Sequence, residues 1–175
     1  MKLKLAAVLA AAAVAVPAVA MDDKMNDLEI AHTAYTAGGL DIRYAHMALA
    51  ISENAAVREF AETMIRDHVA VNKEAVALVQ KLNVTPQDNG LSQALVKGAA
   101  EKRAEFGRLT GKAFDCAYAT NELGYHQVVN QTVEGKFIPE ATVPELKELL
   151  SGALVTFKAH EKHAEKMVAS LSCGA

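Results

Sequence analysis

Four long stretches of this sequence repeat apolar residues at alternating spacings of three and four, which is the periodicity of a helix that buries one face. The first spans residues 27–52, with its seam at Ala34, Gly38, Asp41, Ala45 and Ala48. The second spans 54–82, with its seam at Val57, Ala61, Met64, His68, Val71, Ala75, Leu78 and Leu82. A third runs over 111–137, and a fourth carries Leu146, Leu150, Ala153, Phe157, His160, Ala164, Met167 and Leu171. A chain patterned this way folds all-α. Abundant Ala, few aromatic residues and no Trp suit closely packed helices better than a sheet.

The connections set the topology. Ser52, Glu53 and Asn54 make a tight link with Asn54 as N-cap, so the first two helices are antiparallel neighbours. The loop NVTPQDNG (83–90) and a shorter helix over 91–106 separate the second and third long helices. A long, partly helical crossover there predicts a ferritin-like antiparallel four-helix bundle; plain up-down-up-down connection is the alternative. Residues 139–143 form the last turn, with Thr142 and Glu145 at capping-box spacing and Pro144 in the first turn of the fourth helix.

Residues 1–20 read as a signal peptide. Lys2 and Lys4 precede an apolar run from Leu5 to Val16, and Ala18-Val19-Ala20 supplies the small-x-small cleavage pattern. Cleavage after Ala20 leaves residues 21–175 as one domain, destined for the periplasm. The run is shorter than the about 20 apolar residues of a membrane span, so no membrane insertion is expected after cleavage. Losing Lys2 and Lys4 takes the formal charge from −3 to −5, which gives no reason to expect nucleic acid as a partner. Cys116 and Cys173 would meet an oxidising compartment; a disulfide and two free thiols both fit the sequence.

The chemistry lies in what interrupts the apolar seams. Asp41, His68 and His160 each sit on a core stripe, and the third long helix carries Asp115, Tyr118, Glu122 and His126 at i, i+3, i+7 and i+11, on one face. Asp41 and His68 lie about 12 and 14 residues from the first turn, roughly 20 Å along their helices, near mid-bundle. Glu122, His126 and His160 fall at a similar height. Buried carboxylates and imidazoles need partners. Gathered in one layer they can satisfy one another, or they can jointly hold a metal ion. Asp41, His68, Asp115, Glu122, His126 and His160 are therefore the candidate metal ligands, for zinc, copper, iron or nickel. Tyr118 is read as a hydrogen-bond partner of the layer. Asp67 and His163 are read as off the seam, His32 and His46 as surface, and Met64 and Met167 as core.

Several motifs resemble the bacterial domain of unknown function 4142 family, exported proteins assigned to the ferritin-like superfamily. They are Val57-Arg58-Glu59-Phe60-Ala61 with Met64, Asp67-His68 with Asn72, Leu109 and Gly111 with Phe114-Asp115 and Tyr118, then His126, and finally Leu154, Phe157 and His160. The resemblance covers about residues 30–171. It implies the bundle fold and an envelope location, but no activity. Asp41 stands where the family usually carries Glu, and Val155 where it usually carries Pro. Di-iron bundles use Glu-x-x-His pairs from two helices; the single such spacing here, Glu29-x-x-His32, opens the first helix away from the layer, where the nearest pattern is Glu122-x-x-x-His126, which disfavours oxygen-activating di-iron chemistry. No Gly-rich phosphate loop, nucleophile elbow or Cys-x-x-Cys occurs. Three functions remain in view: a metal-binding bundle for storage, buffering or stress response, a metal-free interaction protein whose polar layer sets helix register, and a metalloenzyme.

Overall fold

The computed structural model describes residues 24–173; the signal-peptide reading and its cleavage site lie outside them. The helices are α1 (Asp27–Ile51), α2 (Ala55–Leu82), α3 (Gly90–Phe106), α4 (Gly111–Thr132), a π-helical turn at Val133–Phe137, the single turn α5 (Ile138–Glu140) and α6 (Pro144–Leu171). No strand occurs among the described residues, and none of their helices is long and apolar enough to cross a membrane.

Asparagines start three of the helices. The Asn26 and Asn89 side chains accept backbone N–H groups in capping boxes completed by Glu29 and Ser92, and Asn54 caps α2 as its position predicts. Asn83 ends α2 in the left-handed region, φ 52°, which asparagine tolerates better than most residues. The expected capping box at Thr142 does not form. Val143 is the N-cap of α6, because the Asp27 carboxylate takes both the N–H and the hydroxyl of Thr142. The third long helix also stops short of residue 137: it converts at Val133 to the π turn, which buries Val133 and Phe137 before Pro139.

α1 packs on α2, α2 on α6, α6 on α4, and α4 back on α1, closing the ring of four. The intervening α3 returns along α1, so α4 starts at the same end as α2. Neighbouring long helices are therefore antiparallel, with one crossover, as the loop lengths predict. α1 and α2 approach closely at Gly38, where a Cβ would lie 2.7 Å from the Asn72 side chain.

Two cores result. One, at the end holding the α1–α2 turn, contains Tyr44, Phe60, Phe106, Phe114 and Tyr118 with Ala and Met from all four long helices. The other, at the opposite end, is mostly aliphatic, built on Ile30, Val133, Leu146, Leu150 and Leu154 with Phe137. Cys116 and Cys173 form a disulfide, their Cα atoms 5.4 Å apart, tying the tail beyond α6 to the start of α4.

Candidate metal centre

Between the two cores lies the polar layer. Each long helix delivers one or two of its side chains because the seam position faces the bundle axis: Asp41 from α1, His68 from α2, Glu122 and His126 from α4, His160 from α6. All five are at most 4 % exposed. The imidazole centroids of His68, His126 and His160 stand 5.3 to 5.9 Å apart, one triangle of rings. Each of the three offers a ligand atom within 4.8 Å of the others, and Asp41, Glu122 and His126 form a second such group sharing His126.

The hydrogen bonds at the rim decide which nitrogens face inward. His126 Nδ1 lies 2.9 Å from the backbone oxygen of Glu122, one turn earlier, so Nδ1 carries the hydrogen and Nε2 keeps its lone pair. That lone pair is 3.4 Å from Asp41 Oδ2. His160 Nε2 lies 2.9 Å from Asp67 Oδ2 and donates to it, leaving the Nδ1 lone pair buried without a partner. His68 Nε2 is 3.2 Å from the same Asp41 oxygen without hydrogen-bond alignment, and its ring stacks on Phe157 at 4.8 Å. Both Asp41 oxygens, Glu122 Oε2 and His126 Nε2 have no hydrogen-bonding protein group. Unpartnered carboxylate oxygens and imidazole nitrogens thus face one another in a buried site, an arrangement that a bound cation would satisfy.

The electrostatics agree. Burial works against the Asp41 charge, but His68, then His126 and His160, more than offset it, so its carboxyl titrates below the ordinary range. Burial and the Asp41 charge push the Glu122 carboxyl well above the ordinary carboxylate range. Burial lowers His126 despite Asp41, and lowers His160 to about 4 despite its bond to Asp67. At neutral pH those two imidazoles are uncharged and ready to donate lone pairs.

Several residues depart from their sequence-based placement. Asp115 does not join the layer. It lies two turns, about 10 Å, before Glu122, and accepts a hydrogen bond from the Ser52 hydroxyl at the α1–α2 turn. Sharing a helix face is not sharing a height. The Tyr118 hydroxyl reaches no protein partner; its ring is packed against Phe60, Phe106 and Phe114 instead. Asp67, read as off the seam, does take part: it flanks the α2–α6 groove, bonds His160 and is itself held by Arg66. A carboxylate preceding a seam histidine points toward the next helix, and that adjacency was the available signal. Asn130 was missed altogether. It donates to the Phe157 oxygen at 3.3 Å and to Glu161 at 2.6 Å, pinning α4 to α6 beside the layer. His163 rests on Phe60 rather than joining His160, and His46 is exposed as read. His32 is half-buried, 3.7 Å from Asp88.

Residues 10–167 match the family described as "Domain of unknown function (DUF4142)". The chain belongs to this family. The match spans α1 to α4 and most of α6, so the layer of this DUF4142 protein falls wholly inside it. Among solved structures the chain is similar to "CopM in the Cu(II)-bound form", with a TM-score of 0.66 at 16% identity, covering 85% of this chain and 99% of that one. At that identity the likeness is one of fold. No curated protein matches this DUF4142 chain.

Proposed function

We propose that this protein binds one transition-metal ion in the mid-bundle layer and serves in the bacterial periplasm to store or buffer it. The three imidazoles of His68, His126 and His160 are the core ligands, with Asp41 as the charged fourth. Glu122 stands behind His126, and Asp67 orients His160 through its other nitrogen, as carboxylates commonly do for metal-bound histidines. The observation that carries this reading is the gathering of unpartnered side-chain atoms from four helices in one buried layer, as two three-residue groups that share His126. A nitrogen-rich set with one carboxylate suits copper, zinc, nickel or iron. Copper leads, because CopM, which shares the fold, has been solved in a Cu(II)-bound form. Export rests on the N-terminal pattern, and the Cys116–Cys173 disulfide fits an oxidising compartment.

The test is to express the chain in the periplasm without a His-tag and count metal per protein by elemental mass spectrometry. Near-stoichiometric metal is expected in the wild type and in Asp115→Asn. It should be lost in His68→Ala and His160→Ala. Protein that purifies without metal and refuses copper, zinc and iron on reloading sinks the proposal and leaves the layer a device for helix register.

A further inference from the structure

The layer is closed off from solvent unevenly. Three of the four helix junctions around it are tied by a side chain bonded to the neighbouring helix's backbone. The Asn72 amide of α2 donates to the Tyr35 oxygen of α1, the Tyr125 hydroxyl of α4 to the Ala37 oxygen of α1 at 2.9 Å, and the Asn130 amide of α4 to the Phe157 oxygen of α6 at 3.3 Å. The α2–α6 junction has no such tie among the described residues; its side-chain bonds are the Asp67–His160 contact and the outer pair of Lys81 and Glu145. A groove opens there instead, between Asp67, Ala70 and Glu74 on α2 and Glu145, Glu148 and Gly152 on α6. Val71, Leu78, Leu149 and Ala153 line it too, and they also wall a void of about 100 Å³ in the aliphatic end, whose lining includes His68 and His126. Every charged side chain on the groove is acidic, and Glu74 and Glu148 have no ion-pair partner among the described residues. Acids alone would be a solvated face. What gives this groove a direction is the buried imidazole at its end: Asp67, its side chain 24 % exposed, holds His160 Nε2 at 2.9 Å, while Nδ1 of the same ring is buried without a partner.

We propose that metal ions enter and leave the layer through the α2–α6 groove, an inference that rests on reading the layer as a metal site. A cleft lined by one sign of charge raises the local concentration of the opposite ion and its rate of arrival. Asp67 is the last carboxylate on the way in, and among the described residues it is the one part-exposed carboxylate bonded to a layer imidazole. Any other side requires parting the aromatic core or breaking one of the three ties to backbone.

The experiment strips the full exported chain with a chelator, adds Cu(II) or Zn(II) alone, and follows uptake by stopped flow with a chromogenic metal indicator and release into excess chelator. Gly152→Trp, at an exposed groove position where a Cβ meets nothing within 4 Å, should slow both directions equally, by about tenfold or more, and leave the affinity unchanged, because a blocked path is crossed both ways. Ala70→Trp, on the opposite wall, is the second plug should the first not fold. Gly39→Trp, an equally open position in the groove between α1 and α3, should change neither rate. Glu74→Gln with Glu148→Gln should slow uptake several-fold at about 0.01 M salt and match the wild type at about 1 M. Wild-type rates in whichever plug folds, or equal slowing by Gly39→Trp, overturn the route. Undiminished uptake by the double variant at low salt overturns the part given to the acids. A wild type that takes up neither ion overturns the metal reading itself, and the route with it.

Discussion

The two ends of the bundle solve the same packing problem differently. At the end holding the α1–α2 turn, five aromatic rings interlock, with Phe106 and Phe114 centroids 5.7 Å apart and Tyr44 edge-on to Phe106 at 5.8 Å, and a disulfide closes the margin. At the other end alanines and branched aliphatics leave the α2 seam only half-buried beyond His68, and a void remains. The polar layer sits at the border. One side of it is sealed by rings, so approach to the imidazoles runs through the loose end. On the proposed reading, the tightly packed half would hold the metal ligands and the loosely packed half would be the way in.

The contrast predicts unequal costs for truncation. Phe106→Ala should destabilise by about 3–5 kcal/mol, because a ring leaves a cavity that its neighbours cannot collapse into. Leu78→Ala, beside the existing void, should cost about 1 kcal/mol, since the side chain is only partly buried. Urea denaturation of the two variants reads the difference directly, and equal losses would erase the distinction between the ends.

Removing the disulfide is next in size. Cys116→Ser with Cys173→Ser should lower stability by about 2–4 kcal/mol through the freed loop of the unfolded chain. A thermal melt with and without reductant checks it: the wild type should shift and the double variant should not.

The border itself is pH-sensitive in the metal-free state. His160 titrates near 4 in the fold against 6.5 when unfolded, mainly through burial. Between those values the unfolded chain holds more protons, so stability falls as pH drops from 6.5 toward 4, by on the order of 2 kcal/mol. Denaturation of chelated protein at pH 7 and pH 4.5 measures this, and His160→Gln should flatten the slope.

The smallest expected effect belongs to the loose end. Partial burial raises the Asp27 carboxyl, but its bonds from the Thr142 hydroxyl and from the Thr142 and Val143 backbone N–H groups outweigh that and lower it. Its stabilisation is present above the ordinary carboxylate pKa and disappears as pH falls through the folded value. Asp27→Ala should therefore cost less than about 1 kcal/mol at pH 7, exposed as the contact is, and nothing once the carboxylate is protonated. Paired urea melts of the variant and the wild type at pH 7 and pH 3 check both halves of that statement.

The helices and the crossover were legible because periodicity and loop composition report burial along a single axis. Asp41, His68, Glu122, His126 and His160 were legible for the same reason, being polar where the pattern demands apolar. Height was not. Asp115 shares a face with Glu122 yet belongs to the α1–α2 turn, where Ser52 claims it. Relations between helices were equally hidden: Asp67 reaching His160, or Asn130 tying α4 to α6, depends on which neighbour stands where. The cysteine pairing depended on where the tail ends, and the void depends on the sum of many small side chains, none of which is unusual alone.

The Cys116–Cys173 bond also divides the layer by covalent connectivity. Glu122, His126 and His160 lie within the ring that it closes, whereas Asp41 and His68 lie on the open arm before it. Folding is then the docking of a free hairpin onto one that is already looped. An ion shared by His68, His126 and His160 would draw two further, reversible rings through the same chain, so that loading and unloading metal would change the number of closed loops in the molecule while leaving every peptide bond where it was.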